Sequence, residues 1–366
     1  MHDLTVVIAD LGPGGAQRVA SVLANELSSR GVRVCFVTLS GKRADHFRLV
    51  DVITRCALDV RDESQWVVGA MVANFRRTRA LRSAIRKAAA PTVLAFVGAT
   101  NVLSILACVG LPVQVVVSER NDPERQSLGR IWDWLRRQTY PYASVVTANS
   151  QHALETMRQY VPAVKLTLVR NPVPVPPEVG EGALDPMSRI LCVGRYSRQK
   201  GQDVLLTAFA RVAPSTPGWR LALVGEGDSE ASLRDQSETL GVAARVDWIR
   251  PVLDIWPIYR QAQMFVLPSR HEGTPNALLE AMACGLAVIV SDSSGGALDY
   301  VKDGTTGLVV PVDDVDALAF AMASLVSDPQ RRARLGNSAK ERVLAEAGGS
   351  SIATWVQILQ LGKNIA

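Results

Sequence analysis

No two of the five cysteines (residues 35, 56, 108, 192 and 284) form a CxxC pair, and their wide spacing excludes a disulfide framework or a zinc knuckle. Histidine is equally scarce: the four, at 2, 46, 152 and 271, lack metal-ligand spacing. There is no low-complexity run, and 48% hydrophobic against 20% charged residues removes disordered, collagen-like and coiled-coil readings. The apolar stretch Leu4–Ile8 lacks a basic region before it and a long apolar region after it, so no secretory signal is expected. Residues 92–117 carry no charge and exceed the about 20 residues of a spanning helix. Asn101, Pro112, Gly98 and Gly110 interrupt them, and β-branched runs at both ends favour strand, short helix, strand inside a parallel sheet. With 366 residues the chain is too long for one core and suits two domains. These exclusions leave a cytosolic, metal-poor, two-domain protein.

Acidic residues are missing altogether between Glu63 and Glu119, while six basic ones occur there: Arg76, Arg77, Arg79, Arg82, Arg86 and Lys87. Residues 1–180 hold 22 Lys+Arg against 14 Asp+Glu; residues 181–366 hold 18 against 21. Val67, Met71, Phe75, Leu81 and Ile85 interleave the basic cluster at roughly helical spacing, which predicts a helix with one apolar and one basic face. Such a face is either solvated or a surface for anionic phosphate, in lipid headgroups or a lipid-linked diphosphate. Nucleic acid is the weaker partner, since no binding motif accompanies the charge.

Buried-strand patterns and helices alternate. TVVIAD (5–10), the turn LGPGG, a helix ending at Gly31 and VRVCFVTL (32–39) make a βαβ unit, continued by TVLAFV, VQVVVS and SVVTAN. Four prolines between Pro172 and Pro177 cannot enter a sheet interior and mark a stiff junction. A second series follows: RILCVGRYS, a helix from Gln202 to Val212, WRLALVGEG, ARVDWI, MFVLPS and LAVIVS. The expected fold class is α/β, with two Rossmann-like, doubly wound parallel-sheet domains facing across a cleft where ligands bind beyond the strands' carboxyl ends. The expected boundaries are 1–171, a linker at 172–186, 187–349, and a C-terminal helix in 350–366 that crosses back to the first domain.

Four pieces belong to that cleft. GRYSRQKG (194–201) places Arg195 and Lys200 before a helix, which suits a diphosphate. LVGEGDSEASLR (223–234) offers a glycine turn for close backbone approach. In LPSRHEGTPNALLEAMACGLAVIVSD (267–292) a helix from about Asn276 to Ala283 starts after Pro275. Glu280, eight residues after Glu272, lies on an otherwise apolar stretch of that helix and requires a hydrogen-bond partner such as a ribose hydroxyl. SDSSGGALDYVKDGTTGLVV (291–310) adds a Gly-Gly turn and an apolar, hairpin-like return.

Together these motifs resemble the family 4 glycosyltransferases, a retaining group with the GT-B fold. The E-x7-E pattern Glu272…Glu280 inside EGTPNALLEAMACG, the loop VGRYSRQKG and GPGGAQR (12–18) carry the resemblance, which runs from about residue 5 to about 345. The resemblance implies that Arg195 and Lys200 hold the nucleotide diphosphate and stabilise the leaving group. By the same carry-over, the amides of Asn276, Ala277 and Leu278 assist, Glu280 accepts the ribose hydroxyls, and Glu272 contacts the donor sugar with Gly273 and Thr274 beside it. Arg250 and Glu226 flank the base, and Gly14 and Gly15 let the first loop approach the donor. No cofactor and no metal ion are expected.

Many relatives carry a histidine at the end of a first-domain strand, where this chain reads VVVSERNDP (115–123). Similar stretches occur in members acting on lipid-linked saccharides, some transferring galactose or N-acetylgalactosamine. Either Glu119 or Arg120 replaces the histidine at the donor sugar or acceptor, or the two pair with Asp122 or Glu124 and shape the loop. His271 reads as orienting its loop and Cys284 as core. Trp132 and Trp134, with Arg130, Arg136 and Arg137, fit an interfacial patch or plain packing.

The expected activity is retaining, metal-independent transfer of a hexose or N-acetylhexosamine from a nucleotide sugar, taken as UDP-linked, to a polyprenyl-diphosphate-linked saccharide. Arg76, Arg79, Arg82, Arg86 and Arg120 are the residues for the acceptor or the membrane. The expected place is the cytoplasmic face of the plasma membrane, peripherally bound. A soluble acceptor, or a GT-B-fold sugar epimerase, is the alternative.

Overall fold

The computed structural model describes residues 1–60, 67–121, 123–124, 127–172, 176–177, 188–252, 254–293, 295–347 and 350–361. It comprises two compact units, Met1–Pro172 with Gly349–Ala366, and Val173–Gly348. Most of the proline-rich 172–186 segment lies outside the described residues, as does Asp122.

The first unit is a seven-stranded sheet: β1 (Leu4–Ile8), β2 (Val34–Thr38), β3 (Thr54–Ala57), β4 (Thr92–Phe96), β5 (Gln114–Glu119), β6 (Val145–Ala148) and β7 (Leu166–Leu168). The order is 3-2-1-4-5-6-7, and every pairing is parallel. The helices are α1 (Gly15–Ser29), α2 (Val67–Ala88), α3 (Gly98–Cys108), α4 (Arg130–Thr139) and α5 (Gln151–Met157). The central strands β1 and β4 are buried at every residue, which is why they read as unbroken apolar runs. The uncharged 92–117 segment is β4, α3 and β5, and among the described residues no helix is long and apolar enough to cross a membrane.

Helix α2 departs from the expected stripe. Leu81 and Ile85 are buried in the core shared with α3 and α5, but Met71 and Phe75 are 71% and 68% exposed. Arg82 is no open cation either: it donates to the carbonyls of Ala107 (2.8 Å) and Val109 (2.7 Å), groups at the end of α3 that lack a partner in the helix. Arg76, Arg79, Arg86 and Lys87 are exposed.

The second unit holds six parallel strands, β8 (Arg189–Val193), β9 (Arg220–Val224), β10 (Val246–Ile249), β11 (Met264–Leu267), β12 (Ala287–Ser291) and β13 (Leu308–Val310), in the order 10-9-8-11-12-13. Its helices are α6 (Gln202–Val212), α7 (Glu230–Thr239), α8 (Trp256–Gln261), α9 (Asn276–Ala283), α10 (Gly295–Leu298), α11 (Val315–Ser327) and α12 (Pro329–Ala347). The hairpin-like return is corrected here. The chain passes through α10 before β13, which therefore runs parallel to β12, Ile289 opposite Leu308.

The last helix, α13 (Ser350–Ile358), packs within the first unit. Trp355 is buried in the same core as α1, and Gln114 Nε2 donates to the Ile358 carbonyl at 3.1 Å.

Candidate active site

In the second unit, three segments at the carboxyl ends of neighbouring strands come together: the loop after β8, the loop after β11, and the turn that opens α10. Gly201 lies in the left-handed region at φ 68°, and a Cβ there would sit 2.1 Å from the Pro268 carbonyl oxygen. Only glycine lets the first loop lie this close to the second. A Cβ on Gly296 would sit 1.7 Å from the Gly273 carbonyl oxygen, so the Gly-Gly turn has the same purpose against Gly273 and Thr274.

Hydrogen bonds stitch these loops. Gln199 Nε2 donates to the His271 carbonyl at 3.0 Å, and the Arg270 amide donates to the Gln199 carbonyl at 2.8 Å. Lys200 Nζ donates to Glu272 Oε1, which also accepts from Ser269 Oγ at 2.7 Å. The expected diphosphate cation and the expected sugar carboxylate, 72 residues apart, are thus an ion pair in this structure. Arg195 is exposed beside them, its carbonyl accepting from Gln202 Nε2 at 2.9 Å. Cys192 lies beneath; burial pushes its thiol up to about 12, which rules it out as a thiolate nucleophile near neutral pH.

Helix α9 begins at Asn276 with Pro275 as its cap residue. Of the three amides expected to face a ligand, that of Leu278 already donates to the Pro275 carbonyl at 3.1 Å, a tightened first turn that turns it away. Glu280 is 3% exposed, and the partner its burial demands is Tyr259 on α8: the phenol donates to Glu280 Oε2 at 2.8 Å and lies 3.2 Å from the Ala277 carbonyl. Arg250 and Glu226, expected together near the base, form an exposed pair at 3.5 Å, with Glu230 3.4 Å from the same guanidinium.

The first-unit residues divide. Gly14 is the cap of α1, and Asp10 Oδ1 braces the loop by accepting from the Gly12 amide and Gln17 Nε2, both at 3.0 Å. Gly15 opens the helix. Glu119 is corrected: it is 1% exposed and enclosed within the unit. Its carboxylate accepts from Tyr140 Oη at 2.8 Å and from the amides of Arg120 and Asn121. Arg136 stands 3.9 Å away. Desolvation raises the Glu119 pKa, with Arg136, Tyr140 and the two amides opposing. Arg120 is corrected likewise. It is buried between the rings of Phe96 and Trp355, each 5.5 Å from its guanidinium carbon, and donates to Asn171 Oδ1 at 2.7 Å. Neither side chain meets Glu124, which pairs with His152. Both are interior supports of the β5–α4 connection, and neither reaches an acceptor or a membrane from where it lies.

Residue-pattern reasoning did not find Tyr259 or Arg270. A buried Glu280 signalled that a donor was needed but could not say which residue supplies it. Arg270 lies in a strand-end loop two residues before Glu272 and carries no motif of its own.

Two family models cover most of this architecture. The Glycosyltransferase Family 4 model matches residues 13–175, and the Glycosyl transferases group 1 model matches residues 183–342. The chain belongs to glycosyltransferase family 4. This glycosyltransferase is 32% identical over 266 residues to alpha-maltose-1-phosphate synthase of Mycolicibacterium smegmatis, covering 65% of the chain and 67% of that relative. It is 26% identical over 344 residues to the Campylobacter jejuni GalNAc-alpha-(1->4)-GalNAc-alpha-(1->3)-diNAcBac-PP-undecaprenol alpha-1,4-N-acetyl-D-galactosaminyltransferase, covering 93% of the chain and 94% of that enzyme. Among solved structures, Anabaena HepE in complex with UDP and glucose superposes with a TM-score of 0.77 at 17% identity, over 98% of both chains. The fold is GT-B, as the motifs implied.

Proposed function

We propose that this glycosyltransferase moves a hexose or N-acetylhexosamine, of the galactose or N-acetylgalactosamine type, from a UDP-sugar to a saccharide carried on a polyprenyl diphosphate. The observation that carries the reading is the Lys200–Glu272 pair held between stitched loops beside the start of α9. A donor diphosphate placed there meets Lys200, Arg195 and the first amides of α9, so the negative charge that grows on the leaving phosphate is met without a metal ion. Glu272, released from Lys200, turns to the sugar, and Glu280, oriented by Tyr259, takes the ribose hydroxyls. The UDP in the HepE complex and the undecaprenol-linked substrate in the C. jejuni enzyme's name support the choice of donor and acceptor. The alpha-1,4 linkage in that enzyme's name accords with retention if the donor is an α-linked UDP-sugar; front-side attack, with the leaving phosphate helping to take the acceptor proton, is the route proposed.

The acceptor is carried by the first unit. Arg76, Arg79 and Arg86 on α2 are exposed beside Met71 and Phe75, and Trp134 on α4 is 60% exposed. This mixture suits an anionic leaflet, each basic side chain near the surface adding about 1 kcal/mol. The enzyme then works peripherally at the cytoplasmic face. The test is release of nucleoside diphosphate from UDP-GalNAc and UDP-galactose, with and without undecaprenyl-diphosphate-linked saccharide. Release that depends on the lipid-linked acceptor is expected. Release with a water-soluble sugar as acceptor would move the enzyme to the soluble-acceptor class, and release with no acceptor would indicate an epimerase.

A further inference from the structure

The guanidinium of Arg270 makes more polar contacts than any single function as a surface charge requires. It grips Asp203 through both terminal nitrogens, Nη1 to Oδ1 at 3.0 Å and Nη2 to Oδ2 at 2.7 Å. Nη1 also donates to the Arg198 carbonyl, and Nε lies 2.8 Å from Asp313 Oδ1. Asp203 sits in the first turn of α6, where the helix end favours a carboxylate. Asp313 follows β13 in the left-handed region at φ 61°. One side chain thus ties together the ends of β8, β11 and β13. Its own amide donates to Gln199, one residue before Lys200, and its position is two residues before Glu272.

We propose that Arg270 is a positioning residue of the donor site, fixing the loop that carries Arg195 and Lys200 in register with the loop that carries Glu272. The geometry gives the reason. Lys200 and Glu272 have long, rotatable side chains, and their pairing alone does not set the backbones that carry them. A planar fork bound to one carboxylate and one carbonyl does so, because two parallel bonds fix direction as well as distance. Without it, Lys200 reaches the diphosphate from an ensemble of loop positions, and binding loses the benefit of preorganisation. Lysine at 270 keeps the charge but cannot make the fork.

This inference rests on the donor-site reading above, and the experiment separates the two. Binding of UDP, GDP and ADP is measured by calorimetric titration, and the tightest of the three is carried through wild type, Arg270→Ala, Lys200→Ala and the double variant. Arg270→Ala is expected to weaken binding about tenfold in the wild-type background and less than about twofold once Lys200 is gone, because both act through one contact. Arg270→Lys should recover only part of the loss. Asp313→Asn removes the negative charge facing Arg270 Nε, leaving an amide oxygen in its place, at a site whose backbone asparagine tolerates; it should show the same background dependence at smaller size. Equal weakening by Arg270→Ala and Asp313→Asn in both backgrounds overturns the positioning role. Unchanged binding in Lys200→Ala overturns the donor-site reading, and with it the inference, as does failure of all three nucleotides to bind.

Discussion

Replacing Tyr259 by phenylalanine tests whether Glu280 is held for a ligand or merely tolerated. The substitution removes one oxygen, which donates to Glu280 Oε2 at 2.8 Å and lies 3.2 Å from the Ala277 carbonyl, while the ring keeps its packing against Trp256 and Phe265. Glu280 is 3% exposed, so water cannot substitute freely for the lost donor. A hydrogen bond to a charged group contributes about 1.5–3 kcal/mol. For a unit of this size, roughly 2 kcal/mol lowers the melting temperature by about 4–8 °C. The carboxylate also loses one of the restraints that aim it, so affinity for UDP should fall several-fold in Tyr259→Phe. Combined with Glu280→Ala, which removes the acceptor itself, the stability loss should fall short of additive, since both remove the same bond. Thermal melts and UDP titrations of the single and double variants decide it. A melting temperature and a UDP affinity both unchanged by Tyr259→Phe would refute the reasoning.

Four further variants have expected outcomes. Arg82→Ala should cost about 1 kcal/mol by uncapping the Ala107 and Val109 carbonyls; Arg79→Ala should leave stability within about 0.5 kcal/mol yet weaken sedimentation with phosphatidylglycerol vesicles. Gly201→Ala forces a left-handed alanine into the Pro268 carbonyl, so a loss of at least about 1–2 kcal/mol is expected in denaturant titrations, together with weaker UDP binding. Glu119 has its pKa raised by burial, so the folded protein favours the protonated acid. Its contribution is therefore intact below the ordinary carboxyl pKa and declines as pH rises through the folded value. Glu119→Gln should lose less stability than wild type between pH 4.5 and neutrality; parallel pH–stability curves would contradict this.

Much of the fold could be read along the chain because parallel strands buried on both faces leave long apolar runs. α6 and α9 carry the boundaries their flanking glycine and proline suggest, Gln202–Val212 and Asn276–Ala283. The edges were harder. β3, with the residues Thr-Arg-Cys-Ala, has no apolar run and is defined by its ladder to β2 rather than by burial. β13 is three residues long, too short to disclose its direction. Helix α2 shows the limit of periodicity: the spacing places Met71 and Phe75 on the face of Leu81 and Ile85, but of these four only Leu81 and Ile85 join the buried core.

The site was legible where a motif fixed it and opaque where distant residues did. Lys200 stands out by its glycine-flanked basic loop and Glu280 by its apolar helix, while Glu272 is proposed from the resemblance. That Glu119 is enclosed depends on Tyr140 and Arg136, 21 and 17 positions further on, and its place in a polar SERN stretch pointed outward instead. Tyr259 and Arg270 carry no motif, and their contacts exist only once α8 meets α9 and three strand ends converge.

The stitched loops of the second unit are proposed to bind a nucleotide sugar through Lys200. This is tested most directly by thermal melts of wild type and Lys200→Ala with UDP-, GDP- and ADP-sugars. Ligand at about a hundred times its Kd adds about 2.7 kcal/mol, a rise of roughly 5–10 °C for a unit of this size. A rise with one nucleotide class, the UDP-sugars by this account, that disappears in Lys200→Ala is the predicted result. A rise of equal size in Lys200→Ala, or none with any of the three classes, would contradict it.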